Sequence, residues 1–344
     1  VTDVVQAGQL LAGKYRVERV LGQGGMGVVV AATHLQLEQR VALKFLLPDG
    51  IEDAETRARF LREARAAARL KSEHVAHVLD VGTLASGAPY IVMEYLDGRD
   101  LCAVLEEQGR LSIATAVEHV LQACEGLAEA HVAGIVHRDL KPANLFLARR
   151  PDGSPCVKIL DFGISKVSTP DTPSTMTHGA TMLGTPHYMS PEQLRSSRDV
   201  DARSDVWALG MILFELLTGR VAFDKPTLPE LCAAILTEPP SRPSDLVPGL
   251  PPALERALLR ALEKNVARRY QSLAEFSQDL APFCDNGAAS ARKISRVLGA
   301  APAPPLPPPV PSGAPAESML STLAPGDSTL GGEPPTLSDP APRP

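Results

Sequence analysis

Apolar residues change their spacing once along this chain. From Tyr15 to about Leu96 they fall in short β-branched runs, YRVERVL, GVVVAATH, RVALKFL and PYIVMEYL, with one helical segment between them. From Leu101 to Phe283 they recur at helical spacing, as in IATAVEHVLQACEGLAEAHVAG and SDVWALGMILFELLTG. A chain patterned in this way builds two unlike halves, an α+β arrangement of a small sheet carrying one helix and a larger helical part. The second quoted helix is apolar nearly all round, which places it at the centre of the helical part. Of the last 44 residues 14 are proline and none is aromatic, too little apolar surface to offset the entropy of ordering. The expected divisions are an N-terminal extension (1–14), a β-rich part (15–96), a helical part (97–284) and a disordered Pro/Ala-rich tail (285–344).

The formal charge is −6, with Lys and Arg scattered rather than massed, so nucleic acid is not an expected partner. Five cysteines, Cys102, Cys124, Cys156, Cys232 and Cys284, lie far apart with no CxxC pair, which fits neither a zinc site nor a disulfide framework. No apolar run approaches the length of a bilayer span. The expected location is the cytoplasm, with a membrane anchor only if the chain continues past residue 344.

Between the first two runs lies LGQGGMGVVV, Leu21 to Val30, with four glycines in six residues. Glycine weakens regular structure, so something there requires a backbone without side chains. Gly22, Gly24 and Gly27 form G-x-G-x-x-G, but β character continues where a dinucleotide-binding fold would begin a helix. The pattern therefore fits a hairpin over phosphates, or a plain glycine-rich turn. In VALK, Lys44 shares a strand face with Ala42. In AETRARFLREARAAARL, Phe60, Glu63, Ala67 and Leu70 keep helical spacing, so Glu63 lies on the apolar stripe, away from Arg57, Arg62 and Arg65. A carboxylate there needs a cation; Lys44 is preferred over a surface pair with Arg59.

HRDLKPAN (His137–Asn144) and DFG (Asp161–Gly163) follow in the order and spacing that one mechanism needs. With them the chain resembles the eukaryotic-like (Hanks-type) protein Ser/Thr kinases, and specifically their bacterial branch, from about Tyr15 to Phe283. The resemblance implies the bilobal protein kinase fold and transfer of the ATP γ-phosphoryl group to Ser/Thr hydroxyls of proteins in bacterial signal transduction. It implies that backbone N–H groups of the Gly22, Gly24 and Gly27 loop cover the ATP phosphates, that Lys44 holds the α and β phosphates, and that Glu63 orients Lys44. Asp161 and Asn144 would bind Mg²⁺, or Mn²⁺ in its place, through hard oxygen ligands. Asp139 would accept the substrate hydroxyl proton, and Lys141 would neutralise the γ-phosphoryl group. Leu21, Val29, Ala42 and Phe146 would enclose the adenine, with backbone groups of Glu94 and Leu96 at its edge after a gatekeeper Met93. By the same resemblance Asp205 anchors the HRD backbone, Glu192 pairs with Arg269 and His137 packs against Phe162. Ser190 and Val266 depart from the family pattern, which has Ala and Pro there.

Arg138 precedes Asp139 and calls for an anion. The resemblance assigns this to a phosphothreonine at Thr181, four residues before Thr185, with Lys166 joining Arg138 around it and Thr175 and Thr177 as second choices. Thr185 itself would bond Asp139 and Lys141. The tail repeats Thr-Leu every seven residues (Thr322, Thr329, Thr336) and contains APAPPLPPPVP. These read either as composition bias and a stiff spacer, or as sites for a phosphothreonine-binding or proline-recognition partner. A homodimer during autophosphorylation is a further expected partner. Two other classes compete. A non-catalytic scaffold is opposed by intact Lys44, Asp139, Asn144 and Asp161, and a small-molecule phosphotransferase by GTPHYMSPE (Gly184–Glu192), which resembles a peptide-positioning loop.

Overall fold

The computed structural model describes residues 6–23, 27–46, 51, 53–162, 186–196 and 200–299. Six antiparallel strands form the first sheet: β1 (Leu10–Leu11), β2 (Tyr15–Gln23), β3 (Gly27–His34), β4 (Gln39–Leu46), β5 (Val78–Thr83) and β6 (Pro89–Glu94). Their order is β1-β2-β3-β4-β6-β5. Along β4 the two-residue period separates the faces. Val41, Leu43 and Phe45 enter one cluster with Val17, Val30 and Tyr90. On the opposite face, Leu46 packs with Ile91 and with Phe60 and Ala64 of helix α1 (Ala54–Ala67). Asp53 starts α1, its carboxylate accepting from the Glu55 and Thr56 amides at 3.1 Å.

Two details of this half differ from the sequence reading. Residues 10 and 11, placed there in an N-terminal extension, pair with Arg16 and Tyr15, and Leu11 is buried. Strand β5 was not anticipated, because VLDVGT is an edge strand that exposes Leu79 and Val81 and so lacks a clean alternation.

The helical half begins with β7 (Gly98–Asp100) and α2 (Leu101–Gln108), followed by α3 (Ile113–Val132). β8 (Leu145–Arg149) and β9 (Pro155–Ile159) complete a three-stranded antiparallel sheet with β7. Then come α4 (Pro191–Arg195), α5 (Ala202–Thr218), α6 (Leu228–Thr237), α7 (Pro243–Leu246), α8 (Pro252–Ala261), α9 (Leu273–Leu280) and α10 (Gly287–Val297). Ser112, Asp201, Thr227 and Ser272 cap the amino ends of α3, α5, α6 and α9. As its composition requires, α5 is the centre of this half: every residue from Ser204 to Leu217 except Glu215 is buried.

The expected tail from residue 285 is corrected by α10. Ile294 is fully buried in the main core, Ala291 is buried too, and the helix packs on α3 and α9. The prolines that dominate the composition of 285–344 begin only at Pro302, and averaging over the whole stretch hid a helix with few apolar residues. Residues 300–344, including the Thr-Leu repeats and the proline run, lie outside the described residues. Among the described residues no helix is long and apolar enough to cross a membrane.

Candidate active site

A cavity of about 460 Å³ lies between the inner face of the first sheet and the helical half. Leu21 and Gly22 of β2, Val29 of β3 and Ala42 and Lys44 of β4 form one wall. Glu63 of α1 and Met93 close the back, the segment from Glu94 to Asp97 forms the edge, and Phe146 and Asp161 lie opposite. The pairing of Val29 with Lys44, and of Lys44 with Ile91, fixes which residues of β3, β4 and β6 share this face.

The glycines differ in what requires them. Among the described residues a Cβ on Gly22 would meet nothing within 4 Å. A Cβ on Gly27 would lie 2.1 Å from the Phe45 carbonyl oxygen. Gly27 is therefore demanded by the β3–β4 pairing itself, and it does not line the cavity. Gly24 lies outside the described residues.

The Lys44 ammonium forms an ion pair with Asp161, Nζ to Oδ1 2.7 Å, and the charge of Glu63, the partner that the sequence suggested, also acts on it. The Lys44 side chain is only 15% exposed. Burial by itself would lower its pKa, but the Asp161 carboxylate, and beyond it the charge of Glu63, outweigh burial and raise it, so Lys44 stays protonated. Asp161 has φ 42°, a left-handed conformation uncommon for a residue with a side chain.

Asp139, Lys141 and Asn144 stand beside the cavity rather than in its lining. Their loop is tied to the chain just before Asp161. Leu160 N–H donates to the Asn144 carbonyl at 2.9 Å, and His137 Nε2 donates to the Leu160 carbonyl at 2.9 Å. Within the loop, Asn144 Nδ2 donates to the Asp139 carbonyl at 2.7 Å, and Lys141 Nζ is 3.5 Å from Asp139 Oδ2. The anchor is Asp205 near the start of α5, 1% exposed. Its carboxylate accepts from the His137 and Arg138 amides at 2.9 and 3.0 Å and from His131 Nε2 at 2.8 Å. Burial opposes the charged form of Asp205, yet these donors hold its pKa below the ordinary carboxylate range. They also hold Arg138 at φ 65°, while Gln193 Nε2 donates to the Arg138 carbonyl at 2.8 Å.

The supporting pairs expected from the sequence are present. The His137 and Phe162 ring centroids are 4.9 Å apart. Arg269 meets Glu192 through two bonds, 2.7 and 3.1 Å, and Ser204 Oγ donates to the same carboxylate at 2.6 Å. Lys166, Thr175, Thr177, Thr181 and Thr185 lie outside the described residues. Sequence reasoning passed over His131 and Gln193. Their contacts span 74 and 55 residues, and a lone His or Gln on a helix carries no spacing signal.

Comparison with known proteins adds a family. The family described as Protein kinase domain matches residues 15–273. Serine/threonine-protein kinase pkn3 of Myxococcus xanthus is 43% identical over 277 residues, 79% of this chain and 50% of that protein. Serine/threonine-protein kinase PknB of Mycobacterium tuberculosis is 39% identical over 273 residues, 78% of this chain and 43% of that protein. The chain thus spans half or less of these curated relatives. Among solved structures, the PknI kinase domain of Mycobacterium tuberculosis superposes with a TM-score of 0.60 at 30% identity, covering 80% of this chain and 98% of that one.

Proposed function

This chain belongs to the protein kinase domain family, and on that footing we propose that it is a bacterial protein serine/threonine kinase, transferring the γ-phosphoryl group of ATP to Ser or Thr hydroxyls of proteins. The observation that carries this reading is the Lys44–Asp161 ion pair across the cavity, tied through Leu160 to the Asp139 loop. It brings residues from β4, the end of β9 and the loop after α3 to one place, and phosphoryl transfer depends chiefly on such positioning.

In this reading the charged Lys44 receives the α and β phosphates, and Glu63 keeps that charge favourable. Leu21, Val29, Ala42 and Phe146 enclose the adenine beside Met93, and backbone groups of Glu94 and Leu96 meet its edge. Asp139 accepts the proton of the acceptor hydroxyl, and Lys141 stands close enough to steady the charge of the transferred group.

The family uses a divalent metal, and the donor set here suits a hard one. Asn144 commits Nδ2 to the Asp139 carbonyl, which turns its oxygen the other way, and Asp161 offers a carboxylate. No cluster of three or more His, Cys, Asp or Glu able to hold a metal exists among the described residues. Two protein ligands completed by phosphate and water are the habit of Mg²⁺, with Mn²⁺ as the alternative. When bound, the ion offsets phosphate charge.

Regulation by phosphorylation belongs to the same proposal. Arg138 Nη1 is buried without a hydrogen-bond partner among the described residues, which supports an anion there, and Thr181 is the preferred source, with Lys166 assisting. Autophosphorylation between two copies, tail partners that read phosphothreonine or proline-rich sequence, and a cytoplasmic location complete the reading. The test is phosphate transfer from ATP to a generic basic protein against small metabolites, with phosphosite mapping of the chain itself. Asp139→Asn should abolish transfer to protein. Transfer that survives this change, or that prefers metabolites, would overturn the assignment. Loss of activity in Arg138→Ala and Thr181→Ala should be non-additive; full additivity would remove Thr181 from its role.

A further inference from the structure

We propose that α10 is a positioning element of the catalytic site, with Lys293 as the side chain through which it acts on the segment between α1 and β5. The inference rests on the kinase reading for its consequence, but its structural basis is independent. Helix α10 begins at Gly287, beyond residue 273, where the match to the family ends.

Residues 71–77 connect α1, which carries Glu63, to β5, and they are stitched to the helical half. The amides of Lys71 and Ser72 donate to the Glu129 carboxylate at 2.8 and 2.6 Å. Ile159 N–H donates to the His74 carbonyl at 2.9 Å, and Ala76 N–H to the Ile159 carbonyl at 3.0 Å. This segment therefore runs beside the strand that ends two residues before Asp161.

His74 is the buried polar side chain of the segment, beside the buried Val75 and Ala76. Its Nδ1 donates to the Val157 carbonyl at 2.9 Å, and its Nε2 lies 3.6 Å from Glu125 Oε2 on α3. Glu125 is buried, and Lys293 meets the same oxygen at 2.5 Å. Lys293 also lies 3.8 Å from Glu73, whose carboxylate Arg150 holds at 3.0 Å. Burial favours neutral forms here, yet His74 is pushed up to about 9 by Cys156, Glu125 and the Val157 carbonyl, and Glu125 down to about 2 by His74, Lys293 and Ser290. The cluster is thus a set of charges that hold one another. Lys293 is the member supplied by α10, itself fixed in the core by Ile294. Removing it takes one cation from Glu125, leaving His74, and one from Glu73, leaving Arg150, at the point where the segment is anchored; Glu63 lies on the helix before that segment and Asp161 two residues past the strand it pairs with.

The test compares the wild-type chain of 344 residues with Lys293→Met and Lys293→Arg. In Lys293→Met, amide exchange of residues 71–77 and 157–161 should quicken about tenfold while that of α5 stays unchanged. The kcat for a protein acceptor should fall about tenfold with the KM for that acceptor unaltered. Lys293→Arg should restore both, because the charge is kept. Unchanged exchange at 71–77 would overturn the proposal. So would faster exchange spread equally through α5, or failure of arginine to restore, since either marks a merely structural residue. If the wild type transfers no phosphate to protein, the kinase reading fails, while the exchange measurement still decides whether α10 clamps the segment.

Discussion

Gly22 and Gly27 belong to one sequence pattern yet obey different constraints, and substitution should separate them. Gly27→Ala forces a Cβ onto the Phe45 carbonyl and should cost about 1–3 kcal/mol in a denaturant titration. Gly22→Ala adds a Cβ that meets none of the described residues within 4 Å and should stay within about 0.5 kcal/mol of wild type. Lys44→Met should remove most phosphotransfer, about a hundredfold or more, with little change in thermal midpoint. The carboxylate it leaves behind on Asp161 is 46% exposed and remains hydrated. A midpoint lowered by many degrees would show that the ion pair holds the fold rather than the site. At this scale the sequence was most legible where function is local. Asp139, Lys141 and Asn144 lie within six residues, and their mutual contacts follow from one loop. The Lys44–Asp161 pair was less legible, because Asp161 comes from a separate element and its approach to Lys44 depends on how the end of β9 sits against the sheet.

At the scale of elements, α10 changes what truncation should do. Deleting residues 285–344 removes the fully buried Ile294 and should cost about 2–5 kcal/mol, lowering the thermal midpoint by several degrees. Deleting residues 301–344 alone should leave the midpoint nearly unchanged, since that stretch has no aromatic residue and is rich in proline. The charge cluster that α10 completes also sets a pH window. His74 is raised from 6.5 to about 9, so its stabilisation is complete below pH 6.5 and is lost as pH climbs through about 9. Glu125 is lowered from 4.5 to about 2, so its stabilisation is complete above pH 4.5 and is lost as pH falls through about 2. Thermal midpoints measured from pH 6.5 to 9 should fall in the wild type and flatten in His74→Gln; parallel curves would remove His74 as the cause. Helices α3 and α5 were legible because their apolar spacing is long and regular. Strand β5 and helix α10 were not, the first for its exposed leucine and valine, the second because its few apolar residues adjoin a proline-rich stretch.

Across the whole molecule, the cavity lies where two differently built halves meet, and each contributes what its architecture does best. The sheet offers alternating side chains on a pleated face, which places Ala42 and Lys44 side by side. The helical half offers a rigid base, α5, on which the Asp139 loop is mounted through Asp205. That mounting turns two amides into a gauge. The N–H groups of His137 and Arg138 are locked onto a carboxylate at the beginning of the most enclosed helix, so solvent deuterons should reach them only when α5 itself comes apart. Their exchange rates should therefore report the unfolding free energy of the entire helical half, rising in step with denaturant. Rapid exchange at either amide in an otherwise protected α5 would mean that the loop detaches from its mount. A helical half built this way would lose the geometry around Asp139 and its native core in the same event.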